Sequence, residues 1–324
     1  MTAARSPKVI TRHRGGHIHA YVVDSAAFGP LEPAAVYRPR AGDEVVESAV
    51  RPDLERVVYT TLHGVVCLAR TGDLVWASDF EPHSDVRHGH RPGCTLSADG
   101  GTVWVYRPDA MARRGGADQW VVYDAGTGAV LARHELETVG HGAEHLVHPV
   151  DGSIYLDVGE GQDGSVVLRG TTGDGGDPEF TTYPWDDRIV IDLAPDGEQF
   201  MTVDHGQGDV AFHHHPTGET LLTLPVEAFG YDPEGTFVEW SGGYLTPETA
   251  IVTLGGETQD GDEWFRHHLI DVRTGRHGGE IGIEVVNPYE LKPLGDGTWL
   301  THGTGDHPVR WSRDLLPPSG PDRV

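Results

Sequence analysis

The chain has 324 residues and carries 50 Asp and Glu against 24 Lys and Arg, which gives a formal net charge of −26. So large an acidic excess repels a phosphate backbone and excludes nucleic acid as an expected partner. No run approaches 18 consecutive apolar residues, and the segment MTAARSPKVITRHRGGH lacks the apolar stretch of a secretory signal. We therefore expect a cytoplasmic protein with no membrane partner.

Tight turns between short apolar runs recur along the whole chain. Seven of them fall at Gly15-Gly16, Pro52-Asp53, Asp99-Gly100, Asp151-Gly152, Asp196-Gly197, Pro247-Glu248 and Asp296-Gly297. A second series, built on Gly or Thr-Gly, follows each of the first six, at Gly42, Thr71-Gly72, Thr127-Gly128, Thr172-Gly173, Thr217-Gly218 and Thr274-Gly275. Two hairpins in each period of roughly 40 to 50 residues are typical of the blades of a β-propeller.

The fourth repeat illustrates the plan of one blade. HLVHPV forms an inner strand, Asp151-Gly152 reverses the chain, and SIYLDVG returns beside it; SVVLRG and EFTTYP then supply the third and outer strands. This pattern predicts an all-β chain, a seven-bladed β-propeller with four-stranded antiparallel blades, with six blades as the fallback. We expect one propeller domain over residues 1–316 and a Pro-rich C-terminal tail over residues 317–324.

Closure of the seventh blade is the weakest point of the pattern. After VRWS the chain enters the Pro-rich LLPPSGP, which leaves no good outer strand. Propellers commonly complete the last blade with a strand from the other terminus, and KVITRHR (8–14) or the following HIHAYVVD would supply it. The second blade is also short, with little room for an inner strand between Val46 and Pro52.

Several short motifs resemble those of the WD-repeat and quinoprotein-like propeller superfamilies. APDGE (194–198) and SADGG (97–101) resemble the first-hairpin turn of those repeats, and YDAGTG (123–128) and IDVRTG (270–275) resemble their third-strand ending. Gly89-His90 and Gly140-His141 resemble the Gly-His dipeptide before an inner strand. The resemblance implies architecture and not chemistry, since the one Trp-Asp pair, Trp185-Asp186, falls in a loop and no enzyme family is matched closely.

Histidines are the residues that most suggest chemistry. His63, His205 and His302 each end a second strand and each precede Gly, so the propeller plan could aim all three toward its axis. Convergent neutral imidazoles bind Zn, Fe, Cu or Ni. The candidates for a general base or a residue that orients the imidazoles are Glu160, Asp204 and Asp306. The alternative is that each His only ends an exposed loop and no metal binds.

Two further groups are candidates for ligand binding. The long loop RPDAMARRGGAD (107–118) contains Arg107, Arg113 and Arg114, which either clamp an anionic substrate or belong to a mobile surface loop. In HGAEHLVH, His141 and His145 lie beside a loop that is expected to open on the ligand-binding face. A structural hydrogen bond is the favoured role for His141, because Gly-His in such a blade normally bonds to a turn.

Two functions remain open from the sequence. The favoured one is a ligand- or partner-binding propeller that holds a small molecule, protein or peptide at a His-rich loop face around the central channel. The alternative is a metal-dependent enzyme, a hydrolase, lyase or oxidase, that acts on a small molecule through the His ligands. Binding is favoured because the fold signal is strong and no complete catalytic motif accompanies it. The oligomeric state is left open.

The 20 histidines also predict a response to mild acid. Their full protonation would change the formal charge from −26 to −6, since each imidazole adds one positive charge. We therefore expect stability or self-association to vary as the pH falls through about 6.5.

Overall fold

The computed structural model describes residues 8–23, 28–172, 177–185, 187–258, 260–302 and 307–315. Within these ranges the chain forms 27 β-strands and four short 3-10 helices, at Gly161–Asp163, Val226–Phe229, Pro288–Glu290 and Arg313–Leu315. None of the described helices is long or apolar enough to span a membrane. The Pro-rich tail over residues 317–324 lies outside the described residues.

The strands follow one another as short extended segments joined by turns. The first sixteen are β1 (Val9–Arg14), β2 (His17–Val22), β3 (Gly29–Pro30), β4 (Ala35–Tyr37), β5 (Glu47–Val50), β6 (Arg56–Thr61), β7 (Gly64–Ala69), β8 (Leu74–Asp79), β9 (Gly93–Leu96), β10 (Thr102–Arg107), β11 (Asp118–Asp124), β12 (Val130–Leu136), β13 (Gly142–Val147), β14 (Ile154–Gly159), β15 (Ser165–Thr172) and β16 (Pro178–Thr182). The remaining eleven are β17 (Arg188–Leu193), β18 (Gln199–Asp204), β19 (Asp209–His214), β20 (Thr220–Pro225), β21 (Thr236–Thr246), β22 (Thr249–Glu257), β23 (Glu263–Asp271), β24 (His277–Ile281), β25 (Lys292–Pro293), β26 (Thr298–His302) and β27 (Pro308–Ser312).

These strands pair into seven antiparallel sheets, which are the blades of a seven-bladed β-propeller, and the predicted fold is confirmed. In order, the sheets are β1-β2-β4, β5-β6-β7-β8, β9-β10-β11-β12, β13-β14-β15-β16, β17-β18-β19-β20, β21-β22-β23-β24 and β25-β26-β27-β3. Six blades have four strands, and the first has three within the described residues. The chain divides into two compact units, of which the first contains blades one to four and the second contains blades five to seven.

The seventh blade is completed by an N-terminal segment, but not by either expected one. Its outer strand is β3, in which Gly29 pairs with Arg310 and Pro30 with Val309, and the amide of Leu31 donates to the carbonyl of Pro308 (2.8 Å). The two segments proposed from the sequence, β1 and β2, instead pair with each other as a hairpin of the first blade. Residues 47–50 also suffice for the inner strand of the second blade.

Aspartate side chains hold the Thr-Gly turns. In the third blade, one carboxylate oxygen of Asp124 accepts hydrogen bonds from the amide and the hydroxyl of Thr127, each at 2.7 Å. In the sixth blade, Asp271 accepts the same two bonds from Thr274, at 2.9 and 2.8 Å. These hydrogen bonds stabilise the charged carboxylate and lower the pKa of both aspartates. The sequence Asp-x-x-Thr-Gly therefore acts as a self-contained turn.

Aromatic side chains fill the space between neighbouring blades. Trp76 of the second blade stacks on Tyr123 of the third, with ring centroids 5.7 Å apart, and its indole N–H donates to the carbonyl of Ala125 (3.0 Å). The Trp76 ring also covers Gly128, where an added Cβ would lie 2.6 Å from it. Trp104 covers Gly170 of the fourth blade in the same way, at 2.3 Å. Glycine is required at both positions because no larger residue leaves room for the ring.

Substituting Gly128 tests this packing. Gly128 and Gly152 both have φ of +72°, but the Cβ of an alanine at Gly152 would meet only Ala98, at 3.9 Å. Gly152→Ala should therefore cost only the backbone strain of about 1–2 kcal/mol. Gly128→Ala should cost about 1–3 kcal/mol more, because it also displaces the Trp76 ring. Urea unfolding of both variants measures the difference, and equal losses would contradict the role given to Trp76.

Candidate functional site

A cavity of about 320 Å³ opens in the second unit, at the end of the sixth blade. Its floor and sides come from Phe237, Glu239 and Trp240 of β21, from Gly256 of β22, and from Glu263 and Phe265 of β23. Gln207, in the turn between β18 and β19, and residues 286–289, which precede β25, complete the wall. We call this space the sixth-blade cavity. It combines one loop between second and third strands with one that joins two blades.

A large β-bulge positions the two central side chains of the sixth-blade cavity. In the β21–β22 ladder, Val238 pairs with Leu254 and Gly242 pairs with Val252, so three residues of β21 oppose one residue of β22. Glu239 and Trp240 are two of these three residues. A bulge turns side chains away from the regular alternation of a strand, which is how both reach the cavity.

Glycine makes the bulge possible at its C-terminal side. Gly242 and Gly243 have φ of +126° and +134°, a region that side chains disfavour. An added Cβ at Gly242 would lie 2.2 Å from the carbonyl oxygen of Ile251, so no other residue fits. On the other side, the hydroxyl of Ser241 donates to the carbonyl of Pro288 (2.5 Å) and attaches the bulge to the cavity wall.

The wall over residues 286–289 is itself held by a capped turn. The side-chain oxygen of Asn287 accepts a hydrogen bond from the amide of Tyr289 (2.9 Å) and caps the 3-10 helix Pro288–Glu290. Val286 and Tyr289 are 90% and 56% exposed and lie at the mouth of the cavity. Exposed apolar side chains beside a concave surface favour contact with a ligand.

Acidic groups dominate the electrostatics of the sixth-blade cavity. Glu239 is only 5% exposed, whereas Glu263 is exposed at the rim. Burial, and secondarily the charge of Glu263, raises the pKa of Glu239. Burial, and secondarily Glu239, likewise raises the pKa of Tyr289. No Lys, Arg or His is among the described residues that line the cavity.

Two of the three candidate metal ligands flank the sixth-blade cavity. His205 stacks on Trp240, with ring centroids 5.5 Å apart, and its Nδ1 lies 3.5 Å from a carboxylate oxygen of Asp187. The Nδ1 of His302 lies 3.9 Å from the carboxylate of Glu290, next to the cavity wall. The backbone carbonyl of Asp204 accepts a hydrogen bond from the Trp240 indole (3.3 Å). Asp306 lies outside the described residues.

The third candidate ligand, His63, lies in the first unit beside another histidine. His63 is exposed in the turn between β6 and β7, and its ring centroid is 5.9 Å from that of His83. The potential ligand atoms of Asp79, Glu81 and His83 all lie within 4.8 Å of one another, and all three residues are exposed. No such group of three among the described residues includes His63, His205 or His302, and the three-histidine metal site stays a prediction.

The arginine loop is anchored from inside. Arg107 and Arg114 are both 7% exposed, and both guanidinium groups bond to one carboxylate oxygen of Asp109, at 2.6 and 3.2 Å. Both also lie over the ring of Phe80, 5.4 and 5.6 Å from its centroid. Arg113 alone among the three arginines is exposed. Arg107 and Arg114 therefore hold the loop in place, and the anion clamp stays a prediction.

The remaining candidates have local partners in the first unit. His141 is exposed, and its amide donates to the carbonyl of Gly159 (2.9 Å). His145, on β13, accepts a hydrogen bond from the indole N–H of Trp120 (3.2 Å), and burial lowers its pKa to about 3. A carboxylate oxygen of Glu160 accepts from the amide of Val139 (2.7 Å). Their roles in binding or catalysis stay predictions.

Other histidines on strands are buried in the second unit. His213, His267 and His268 are at most 3% exposed, and burial lowers the pKa of each to about 4. His213 points into the fifth blade, where its Nε2 bonds to the hydroxyl of Thr202 (2.8 Å). Only its neighbour His214 is exposed.

Comparison with known proteins shows the architecture. No family model and no curated protein matches the chain. Among solved structures, Kuenenia stuttgartiensis hydrazine synthase aligns with a TM-score of 0.54 and 16% identity over 83% of this chain and 77% of that one. The dihydro-heme d1 dehydrogenase NirN in complex with DHE aligns with a TM-score of 0.54 and 14% identity, over 93% of this chain but only 59% of that one. BamB from Moraxella catarrhalis aligns with a TM-score of 0.51 and 15% identity over 95% and 82%.

These structures are β-propeller proteins, and at such low identities the similarity shows the fold alone. The resemblance to the propeller superfamilies is therefore confirmed as one of architecture. Sequence reasoning missed Glu239, Trp240 and Tyr289, although one signal was available. The pair Gly242-Gly243 interrupts a strand pattern directly after Glu-Trp-Ser, and glycine inside a strand indicates a bulge.

The buried histidines predict a loss of stability in acid. A histidine with a folded pKa of about 4 and an unfolded pKa of about 6.5 binds its proton more readily in the unfolded chain. The stability that it contributes is complete above about pH 6.5 and is lost as the pH falls toward 4. His213→Gln should therefore reduce the acid dependence of the unfolding free energy, by about 1 kcal/mol between pH 7.5 and 5.5.

The exposed neighbour supplies the matched control. His214→Gln should leave the acid dependence of wild type unchanged, because His214 lies on the same strand but faces solvent. Urea titrations at both pH values measure the effect. A melting temperature of the wild-type protein that stays constant from pH 8 to 5.5 would contradict the predicted loss of stability in acid.

Proposed function

We propose that the chain is a ligand-binding β-propeller whose ligand enters the sixth-blade cavity. The observation that carries this proposal is a bulge of β21 that turns Glu239 and Trp240 into a concave space of about 320 Å³. That volume lies within the range of small-molecule sites. Four aromatic residues line the cavity together with a few polar groups, namely Phe237, Trp240, Phe265 and Tyr289. Such a composition suits recognition of a small molecule or of one side chain of a peptide.

The local architecture supports a role in binding rather than in stability. A bulge with two extra residues, two glycines at positive φ and a buried carboxylate all oppose regular strand pairing. Local departures of this kind are concentrated at functional sites. The sixth-blade cavity also lies beside His205 and His302, which the sequence assigned to the loop face. Because the similar structures include enzymes and share only the fold, they do not choose between binding and catalysis.

Screening a fragment library against the indole NMR signals of the protein tests the proposal. Binding fragments should shift the signal of Trp240, which Trp240→Phe identifies by its disappearance. Tyr289→Ala should weaken their affinity about three- to tenfold, since it removes an aromatic contact at the mouth of the cavity. Tyr289 is half exposed, so the fold should tolerate the change.

Leu221→Ala is the control for this screen. Leu221 is an exposed apolar residue, 48% accessible, on β20 of the fifth blade and not in the cavity wall. The Leu221→Ala variant should bind the fragments with the same affinity as the wild-type protein. A screen in which no fragment moves the Trp240 signal, or in which Tyr289→Ala has no effect, would refute the sixth-blade cavity as the binding site.

Metal-dependent catalysis is the second candidate function, and one observation favours it. Asp79, Glu81 and His83 bring three potential ligand atoms together, with His63 as a neighbouring imidazole. Imidazole and carboxylate donors suit Zn or another divalent transition metal. The exposure of all three residues is the physical argument against it, because exposed acidic groups often cluster without an ion.

Elemental analysis of untagged protein, purified without chelator, tests this candidate. A functional site should hold about one equivalent of a transition metal at neutral pH. His83→Ala should then empty the site if the ligands are the exposed group, whereas His205→Ala should empty it if the three-histidine prediction is right. Less than about a tenth of an equivalent in the wild-type protein would exclude both versions.

A further inference from the structure

We propose that the ligand of the sixth-blade cavity is an organic cation, whose ammonium or guanidinium group is bound by Glu239 and faces the ring of Trp240. This inference rests on the proposed function and adds the chemical class of the ligand. The shared chemistry covers a free amine and the side chain of Lys or Arg in a peptide. Four observations on the described residues carry it.

The first observation is that Glu239 has no partner for its carboxylate. Glu239 is only 5% exposed, yet its carboxylate makes no hydrogen bond or ion pair with any residue that the structure describes. Its Oε1 faces Gly255, where an added Cβ would lie at 2.4 Å, so the backbone leaves room for this carboxylate. Burying a carboxylate without a partner is costly, and a bound cation would remove that cost.

The second observation is that the charged groups in the described cavity wall, Glu239 and Glu263, are both carboxylates. One side-chain N–H of Gln207 donates to the carbonyl of Val238 (3.2 Å), which leaves its oxygen and its second N–H available to a ligand. The Trp240 indole N–H is likewise used, by the carbonyl of Asp204. An ionised carboxylate only accepts hydrogen bonds, so Glu239 and Glu263 suit a ligand whose charged group carries N–H donors. An anionic ligand would meet two carboxylates instead.

The third observation is the aromatic surface beside the carboxylate. Trp240 follows Glu239 directly in the bulge, and its orientation is supported from behind by the stacked ring of His205. A cation is attracted to the face of an indole ring more strongly than to the face of other aromatic rings. Phe237, Phe265 and Tyr289 provide apolar surface for the carbon skeleton that carries the charge.

The fourth observation is that the field of the protein favours the same charge. The chain has a formal net charge of −26, which attracts cations toward a cleft lined by carboxylates. Neighbouring cations are engaged elsewhere: Arg266, on β23, lies over the rings of Tyr231 and Trp264 and bonds to the hydroxyl of Tyr231 (3.1 Å). The negative charge of the cavity is therefore not neutralised by a side chain of its own wall.

Three aromatic probes of similar size and different charge test the inference on the wild-type protein. Phenethylammonium, 2-phenylethanol and 3-phenylpropionate are titrated while the Trp240 indole signal is followed. Phenethylammonium should bind at least about tenfold more tightly than the neutral probe, because its ammonium group forms a charge-assisted hydrogen bond with the carboxylate of Glu239. Phenylpropionate should bind most weakly. These comparisons need no variant and so do not depend on its folding.

Glu239→Gln identifies the group that selects the charge. It should weaken phenethylammonium binding at least about tenfold and leave 2-phenylethanol binding unchanged, since amide and carboxylate have nearly the same shape. Glu248→Gln removes an equal charge from the turn at the other end of β21 and β22, and should change neither affinity. Titration with Nα-acetyl-lysine methylamide beside phenethylammonium then distinguishes a peptide side chain from a free amine as the source of the cation.

The outcomes separate this inference from the proposed function. If the neutral or anionic probe binds as tightly as phenethylammonium, or if Glu239→Gln binds phenethylammonium like wild type, the cation assignment is overturned while binding in the cavity stands. If no probe and no library fragment shifts the Trp240 signal, both are overturned. Selective loss of phenethylammonium binding in Glu239→Gln alone supports the assignment.

Discussion

Close packing between neighbouring blades is the constraint on which the structure depends. Each blade must bury a face against the next, and a large aromatic ring can lie directly against the facing backbone only where that residue has no side chain. Trp76 against Gly128 and Trp104 against Gly170 are two instances in the first unit. Glycine therefore has two roles in this chain. It permits the tight turns, and it lets rings approach the backbone of the adjacent blade.

The sixth blade departs from this packing in a way that creates the candidate site. Regular alternation would put successive residues of β21 on opposite faces, but the bulge places Glu239 and Trp240 outside that order. Gly255 receives a carboxylate oxygen where Gly128 and Gly170 receive indole rings. A charged group in such a position opposes stability unless something binds to it. The proposed cation is the simplest means of satisfying Glu239.

Much of the architecture was predictable because the signals for it are local. Asp99, Asp124, Asp196 and Asp271 lie at turns, and the side chain of each accepts a hydrogen bond from an amide two or three residues away, so the local sequence of the turns marks the blades. The strand that completes the seventh blade was not predictable from the sequence. The outer strand β3 has two residues, Gly29 and Pro30, too few to show any periodicity, whereas β1 and β2 looked like strands because they are strands of another blade.

The site was harder to predict for a different reason. Blades are covered on both faces, so polarity at alternate positions does not distinguish an exposed histidine from one that is buried and hydrogen-bonded, such as His213. Arg107 and Arg114 illustrate the same difficulty, because a sequence of arginines in a long loop does not reveal that Asp109 and Phe80 engage them. In the sequence, only the pair Gly242-Gly243 indicates the bulge of β21.

The unpartnered carboxylate of Glu239 is therefore the group that defines the proposed binding site. A crystal structure of the protein grown or soaked with phenethylammonium tests it most directly. We expect density for the probe in the sixth-blade cavity, with its nitrogen about 2.7–2.9 Å from a carboxylate oxygen of Glu239, the distance of a charge-assisted hydrogen bond. A cavity without the probe at saturating concentration, or a probe whose nitrogen points away from Glu239, would contradict the claim.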